Sequence, residues 1–148
     1  MLPAIILPSS FYSDHIHQSL QPRYEKQRST QVRLLHEVDQ FSHLEKTLEL
    51  IEKRSSRKEP LVSLVHLGRG FHVKGVAEKL DHINIMVGLG YHAEFSVDEA
   101  KIFIEEKKTH LQILLENISQ QITLTEIELD QMAGLQVEAL LLEQQHSP

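Results

Sequence analysis

The chain of 148 residues has room for one domain, and its composition is 41% hydrophobic but only 5% aromatic, with no Trp. Its 21 Asp and Glu outnumber 15 Lys and Arg, and the formal charge of −6 disfavours binding to the phosphate backbone of nucleic acids. There is no Cys, which excludes disulfides, thiol catalysis and thiolate metal sites.

Residues 1–10 are predicted to form a disordered leader. Their apolar run, Leu2 to Leu7, is broken by Pro3 and ends at Pro8, and no Lys or Arg precedes it. The run therefore lacks the basic region of a signal peptide. It is also far shorter than the roughly 20 residues that a membrane-spanning helix needs.

A first long helix is predicted over residues 11–58. Pro22 falls inside this range, so we expect a kink or break there. A helix that begins only at Pro22, with the proline in its first turn, is the alternative. Pro60 prevents continuation beyond the basic end of the helix. Apolar residues recur every three or four positions, as in a coiled-coil seam: Leu34, Val38, Phe41, Leu44, Leu48 and Ile51.

Residues 60–95 alternate with a period of two, which predicts two β-hairpins in tandem. The stretch Gly88-Leu-Gly90-Tyr-His-Ala93 also has the G-x-G-x-x-A spacing of a dinucleotide-binding fingerprint. That motif requires a helix to begin at its glycines, whereas here the alternation continues to Phe95. We therefore interpret these glycines, and those of Gly68-Arg-Gly70, as turn residues.

A second long helix is predicted over residues 96–146, with Ser96 and Glu99 as a capping box. At about 1.5 Å per residue it would be roughly 70 Å long, so an antiparallel partner is needed. The first helix is that partner. The predicted fold class is α+β, mostly α: one domain over residues 1–148, a long antiparallel coiled-coil helical hairpin with two β-hairpins between its helices.

No pattern indicates catalysis or metal binding. The ten His are scattered, and adjacent carboxylates such as Asp98 and Glu99 point apart on a helix. Ser63, Ser96 and Asp81 have no triad arrangement around them. We predict that the protein is not an enzyme and that it binds no cofactor and no metal.

Apolar residues of the second hairpin are predicted to bind another subunit. A four-stranded sheet that nothing covers leaves a face exposed, and its edge strands offer free backbone hydrogen-bonding groups. We therefore expect an oligomer that assembles through the β region. The residues on that face are Ile83, Ile85, Val87, Tyr91 and Phe95.

The central motifs resemble those of α-class subunits of the prefoldin family. VHLGRGFHVKGV (65–76) is similar to the family's first hairpin, and INIMVGLGYHAEFSVDEAKIFIEEK (83–107) to its second hairpin and following helix. The resemblance covers about residues 60–110, while the coiled coils match only in length and periodicity. Within the class, the sequence is more similar to the UXT (ubiquitously expressed transcript) type at Leu89, at Phe95 and at the Phe-Ile pair of EAKIFIEEK. The alternative is that the chain is an ordinary prefoldin α-subunit.

This resemblance implies an α2β4-like hexamer in which a double β-barrel platform carries coiled-coil tentacles. It implies ATP-independent holding of unfolded clients, or assistance in assembling protein complexes, in the cytoplasm and also the nucleus. The implied partners are β-class prefoldin subunits, a second α-class subunit, client proteins, and a chaperonin or larger co-chaperone complex, without direct nucleic acid and without a membrane. The alternative function is a coiled-coil adaptor or transcription co-regulator that binds dedicated protein partners.

The resemblance also assigns residues to these roles. Assembly would use Leu61, Val65, Leu67, Phe71 and Val73 of the first hairpin, besides those of the second. The leucines near the end of the second helix are more numerous than coiled-coil packing requires, so they either bind clients or only close the coil. The tip residues assigned to client or partner binding are Phe11, Ile16, Leu20, Tyr24, Leu135, Leu140, Leu141 and Leu142.

Overall fold

The computed structural model describes residues 7–145, so most of the predicted leader lies outside the described residues. The chain divides into two compact units, the hairpin unit (Glu37–Leu111) and the terminal unit (Met1–His36 with Gln112–Pro148). The order of a long helix, two β-hairpins and a second long helix confirms the predicted fold class. The elements are α1 (Ser9–His15), a π-helical segment (Ile16–Leu20), α2 (Gln21–Ser56), β1 (Leu61–Gly68), β2 (Phe71–Ala77), β3 (His82–Gly88), β4 (Tyr91–Ser96) and α3 (Val97–Gln145).

The first helical region begins at Ser9 and passes Pro22 without ending. Proline has no N–H to donate, and its ring clashes with the carbonyl of the residue four positions earlier, here Gln18. The π-helical segment lies directly before it, and the Gln21 N–H donates to the Ile16 carbonyl, five residues back. The wider turn absorbs the disruption, so the expected break at Pro22 takes the form of a local π segment.

The core of the hairpin unit joins α2, α3 and the second hairpin. Leu48 and Ala100 are fully buried, Ile104 almost so, and Ile85 of β3 packs among them. Aromatic rings surround this cluster in edge-to-face or tilted arrangements, which are the favourable ones. The surrounding residues are Phe41, Leu44, Ile83, Phe95 and Phe103. The second hairpin is therefore anchored on the helices of its own chain.

Leu48→Ala should lower the free energy of unfolding by about 2–5 kcal/mol, because it removes a fully buried side chain and leaves a cavity. Leu50→Ala is the matched control, since Leu50 lies two residues along the same helix and is 61% exposed. It should change stability by less than about 0.5 kcal/mol. Urea denaturation followed by circular dichroism measures the free energy of unfolding of both variants. An equal loss of stability in the two variants would contradict the placement of Leu48 in the core.

The junction between β4 and α3 is closed by the predicted capping box, which the structure confirms. The Ser96 N–H and hydroxyl each donate to Glu99 Oε2 at 2.9 Å, and the Glu99 N–H donates to Ser96 Oγ at 3.3 Å. The hydrogen bonds from the Ser96 backbone and side chain hold the pKa of the Glu99 carboxyl below its ordinary value. The cap fixes where the strand ends and the helix begins.

Acid should weaken this junction. Because the pKa of Glu99 is lower in the folded than in the unfolded chain, its ionised form stabilises the fold above the ordinary pKa of a glutamate. That stability is lost as the pH falls through the folded pKa. Urea denaturation at a series of pH values should show a smaller acid loss for Glu99→Gln than for the wild type. An unchanged pH profile in the variant would contradict the role of the carboxylate.

The terminal unit packs the helical residues before residue 36 antiparallel against the second half of α3. Arg23 forms an ion pair with Glu128, and the Tyr24 hydroxyl donates to Glu126 at 3.0 Å. Nearer the chain ends, the N–H and hydroxyl of Ser9 donate to the Glu143 carboxylate at 2.9 and 2.8 Å. The buried side chains of this unit are Tyr12, Ile16, Leu20, Leu34, Ile122, Thr125 and Ala139.

Candidate interaction surfaces

The glycine pairs lie in the turns of the two hairpins, as predicted. Gly88, Leu89 and Gly90 all have positive φ (126°, 51° and 79°), and α3 begins only at Val97. Gly68–Gly70 repeat the arrangement in the first hairpin. Leu89 is 98% exposed and adopts a left-handed conformation that is uncommon for a non-glycine residue. The sequence analysis did not predict that Leu89 is an exposed apolar residue. Its position between two turn glycines was the feature that could have indicated it.

The first hairpin presents a mostly apolar face, which the Ser63–Gly75 pair interrupts. The register places Leu61 opposite Ala77 and Val65 opposite Val73, and Phe71 lies on the same side two residues before Val73. A bulge between His66 and Gly68 interrupts the register at Leu67. We call these residues the hairpin-1 face: Leu61, Val65, Leu67, Phe71, Val73 and Ala77. All five assembly residues predicted in this hairpin therefore belong to one surface.

The hairpin-1 face has no cover within residues 7–145. Phe71 is 71% exposed, Leu67, Val65 and Val73 are also exposed, and Leu61 is half-buried. Among the strands that the structure describes, β1 pairs only with β2, and β3 only with β4. The four-stranded sheet expected from the sequence is therefore wrong, because the hairpins form two separate two-stranded sheets. A two-stranded ribbon is marginally stable in water unless a face of it is covered, so this hairpin is the element that most needs a partner.

The opposite face of the first hairpin is mixed, and sequence reasoning missed its apolar members. Val62, Leu64 and Val76 are exposed there. The same face carries Lys74 and the pair His66 and His72, whose rings pack edge to face with centroids 4.7 Å apart. The run LVSLVHL (61–67) could have indicated Val62 and Leu64, because apolar residues occupy both its odd and its even positions and therefore both faces of the strand. Both faces of this hairpin can therefore contribute apolar area.

The second hairpin differs, because part of its apolar row is covered within the chain. Ile85 is buried, and Ile83 and Phe95 pack against the same core. We expected every apolar residue of this row to need a partner from outside the chain. That expectation is wrong for these three residues, because α2 and α3 of the same chain cover them. Val87 and Tyr91, at the turn end of the same row, are exposed.

The structure separates the predicted tip residues into two groups. Ile16 and Leu20 are buried inside the terminal unit. Tyr24 is half-buried, with its hydroxyl bonded to Glu126, and Leu142 is half-buried. Packing inside the coil accounts for these four. The exposed members are Phe11, Leu135, Leu140 and Leu141.

A groove of the hairpin unit holds paired charges. It encloses about 650 Å³ between α2 and α3. Lys101 Nζ lies 2.7 Å from Glu52 and Lys108 Nζ 2.8 Å from Glu45. The hydrogen bond that Lys101 donates to Glu52 raises the pKa of the lysine, which keeps the amine protonated rather than nucleophilic.

Neither a metal centre nor a membrane span is visible in the described part of the chain. Residues 7–145 contain no group of three or more His, Asp or Glu arranged to hold a metal ion. No helix among them combines the length and the apolar character that crossing a bilayer requires.

Comparison with known proteins identifies this arrangement. The sequence model of the prefoldin-subunit family matches residues 23–135. The chain belongs to the prefoldin family, and membership implies assembly with other prefoldin subunits. Filamentous prefoldin from Methanocaldococcus jannaschii, solved by cryo-EM, superposes with a TM-score of 0.65 at 21% identity, over 82% of this chain and 98% of that one.

Two curated relatives specify the type of subunit. A protein named UXT homolog from Dictyostelium discoideum is 24% identical over 120 residues, 81% of this chain and 73% of the relative. Another protein of that name, from Nematostella vectensis, is 31% identical over 101 residues, 68% of this chain and 64% of the relative. These relatives confirm the prediction of a UXT-type prefoldin-like subunit.

Proposed function

We propose that this chain is a subunit of a prefoldin or prefoldin-like hexamer, an ATP-independent co-chaperone that holds unfolded clients or assists the assembly of protein complexes. The observation that carries the proposal is the hairpin-1 face, an apolar surface on a ribbon that no other described element of the chain covers. Burial of such a surface against strands of neighbouring subunits supplies the driving force for assembly.

The partners in this proposal are β-class prefoldin subunits and a second α-class subunit. Their strands would pair with the free edges of β1 or β2 and cover the hairpin-1 face. Val87 and Tyr91 extend the same kind of surface at the turn of the second hairpin, where they are exposed. The second hairpin would be held on the helices by its three packed residues, Ile83, Ile85 and Phe95, which would support assembly without contacting the partner subunit.

Clients would bind at the chain-terminal end of the coil. Phe11, Leu135, Leu140 and Leu141 are exposed there, whereas their neighbours Ile16 and Leu20 already close the coil. Exposed apolar side chains bind other apolar segments with little sequence selectivity, as a holding chaperone requires. Transfer of the client to a chaperonin or a larger co-chaperone complex would follow.

A holding assay tests this function. The full chain, assembled with β-class prefoldin subunits, should suppress the aggregation of several unrelated chemically unfolded proteins in the absence of ATP. Light scattering during dilution from denaturant follows the aggregation. Suppression that requires ATP, or no suppression of any of them, would contradict the proposal and leave the adaptor or co-regulator function in its place.

A further inference from the structure

The second half of α3 carries apolar side chains on the side that faces away from the coil. Ile122 and Thr125 are buried against the other helical region of the terminal unit. Leu124 and Ile127 each follow one of them by two residues, a rotation of about 200° around the helix axis. Leu124 is 63% exposed, and Ile127 is also exposed. Neither side chain belongs to the buried residues of the unit.

The outward residues continue as a regular row, which we call the outer seam. Its positions are separated by four, three, four, three and four residues, the spacing of a coiled-coil seam. The row contains three apolar side chains and three amides, and no charged residue stands in it. Buried amides in such seams fix register and orientation. The outer seam consists of Ile113, Asn117, Gln120, Leu124, Ile127 and Gln131.

The charges that α3 itself places beside the outer seam are all negative. Glu116, Glu128 and Asp130 are each adjacent in sequence to a seam position, and of these Glu128 is already paired with Arg23. After Lys108, α3 contains no Lys or Arg. A helix that packs on this seam therefore meets carboxylates at its flanks, which favours Lys and Arg at the flanking positions of the partner.

We propose that the outer seam is a docking site for a basic amphipathic helix of a partner protein. The helix would bury its apolar stripe on Ile113, Leu124 and Ile127 and place its cations against Glu116 and Asp130. A second copy of this chain fits less well, because its own α3 would bring the same negative charges to the contact. The site shares no residue with the hairpin-1 face, so the two surfaces can be tested separately.

Binding of designed peptides to the full chain tests the proposal. The probe is a helix of about 18 residues, or five turns, with Leu at seam positions and Lys at the flanks. The matched peptide replaces every Lys with Glu. The chain variants are Leu124→Gln with Ile127→Gln, and Val32→Gln as the control, because Val32 is also 63% exposed but lies on α2. Fluorescence anisotropy measures the affinity, and circular dichroism checks that the variants keep their helix content.

The proposal predicts that the basic peptide binds and the acidic one does not. The double variant should lose at least about tenfold in affinity, because two anchoring side chains are removed, while Val32→Gln binds as the wild type. Raising the salt concentration should weaken binding by screening the flanking charges. Equal affinity for both peptides, or equal affinity of the double variant and the wild type, would overturn it. Self-association of the chain that the double variant abolishes would assign the seam to a second copy instead, and would also overturn it.

Discussion

Val65→Asp should abolish co-assembly of this chain with β-class prefoldin subunits. Val65 lies in the middle of the hairpin-1 face, directly opposite Val73, and is exposed in the isolated chain. An ionised carboxylate there would have to lose its water against an apolar partner surface, which costs several kcal/mol without a compensating cation. The described core of the hairpin unit contains no residue of β1 or β2, so the helix content of the variant should stay the same.

Lys74→Asp is the matched control for this prediction. Lys74 lies on β2 next to Val73, and its side chain points to the opposite face, which also carries His66 and His72. Co-purification followed by size-exclusion chromatography measures assembly of both variants, and circular dichroism measures their helix content. Retained co-assembly of Val65→Asp would contradict the role of the hairpin-1 face.

Client holding should be lost when the exposed tip side chains are made polar. The triple variant Phe11→Ser, Leu140→Ser, Leu141→Ser removes three exposed apolar groups from the terminal unit. Because none of them is buried, the coil should keep its stability, whereas suppression of client aggregation should fall to the level without chaperone. The aggregation assay with the assembled complex measures the effect.

Two further variants separate binding from folding at the tip. Val32→Ser removes an exposed apolar side chain elsewhere in the terminal unit, and it should leave client holding intact. Leu20→Ala removes a side chain that is only 2% exposed, so it should lower stability by about 2–5 kcal/mol. Full holding by the triple variant would mean that the tip leucines only close the coil.

The fold was predictable because its elements follow strong local rules. Period-two alternation, paired turn glycines and the Ser96–Glu99 cap each specify a structure within a few residues of sequence. The positive φ values at Gly88 and Gly90 and the hydrogen bonds of the cap show these rules satisfied. The π-helical segment was less accessible, because a proline inside a helix can be accommodated by a kink, a break or a wider turn.

The candidate surfaces were predictable only in part, because alternation identifies a face but not what covers it. Ile85 and Val65 each belong to a row of apolar residues with a period of two, yet Ile85 is buried on the helices and Val65 is exposed. The length of the coil likewise predicts a seam on α3 without excluding a second one. The outward direction of Leu124 and Ile127 can be assigned only from the structure. It follows from the burial of Ile122 and Thr125, which shows which side of α3 faces the coil.

Assembly through the hairpins can be measured as the light-scattering mass of the chain, alone and after co-expression with β-class prefoldin subunits. We expect a discrete complex with the mass of a hexamer, in which this chain is the minority component. A stable monomer that does not associate with those subunits would contradict this expectation.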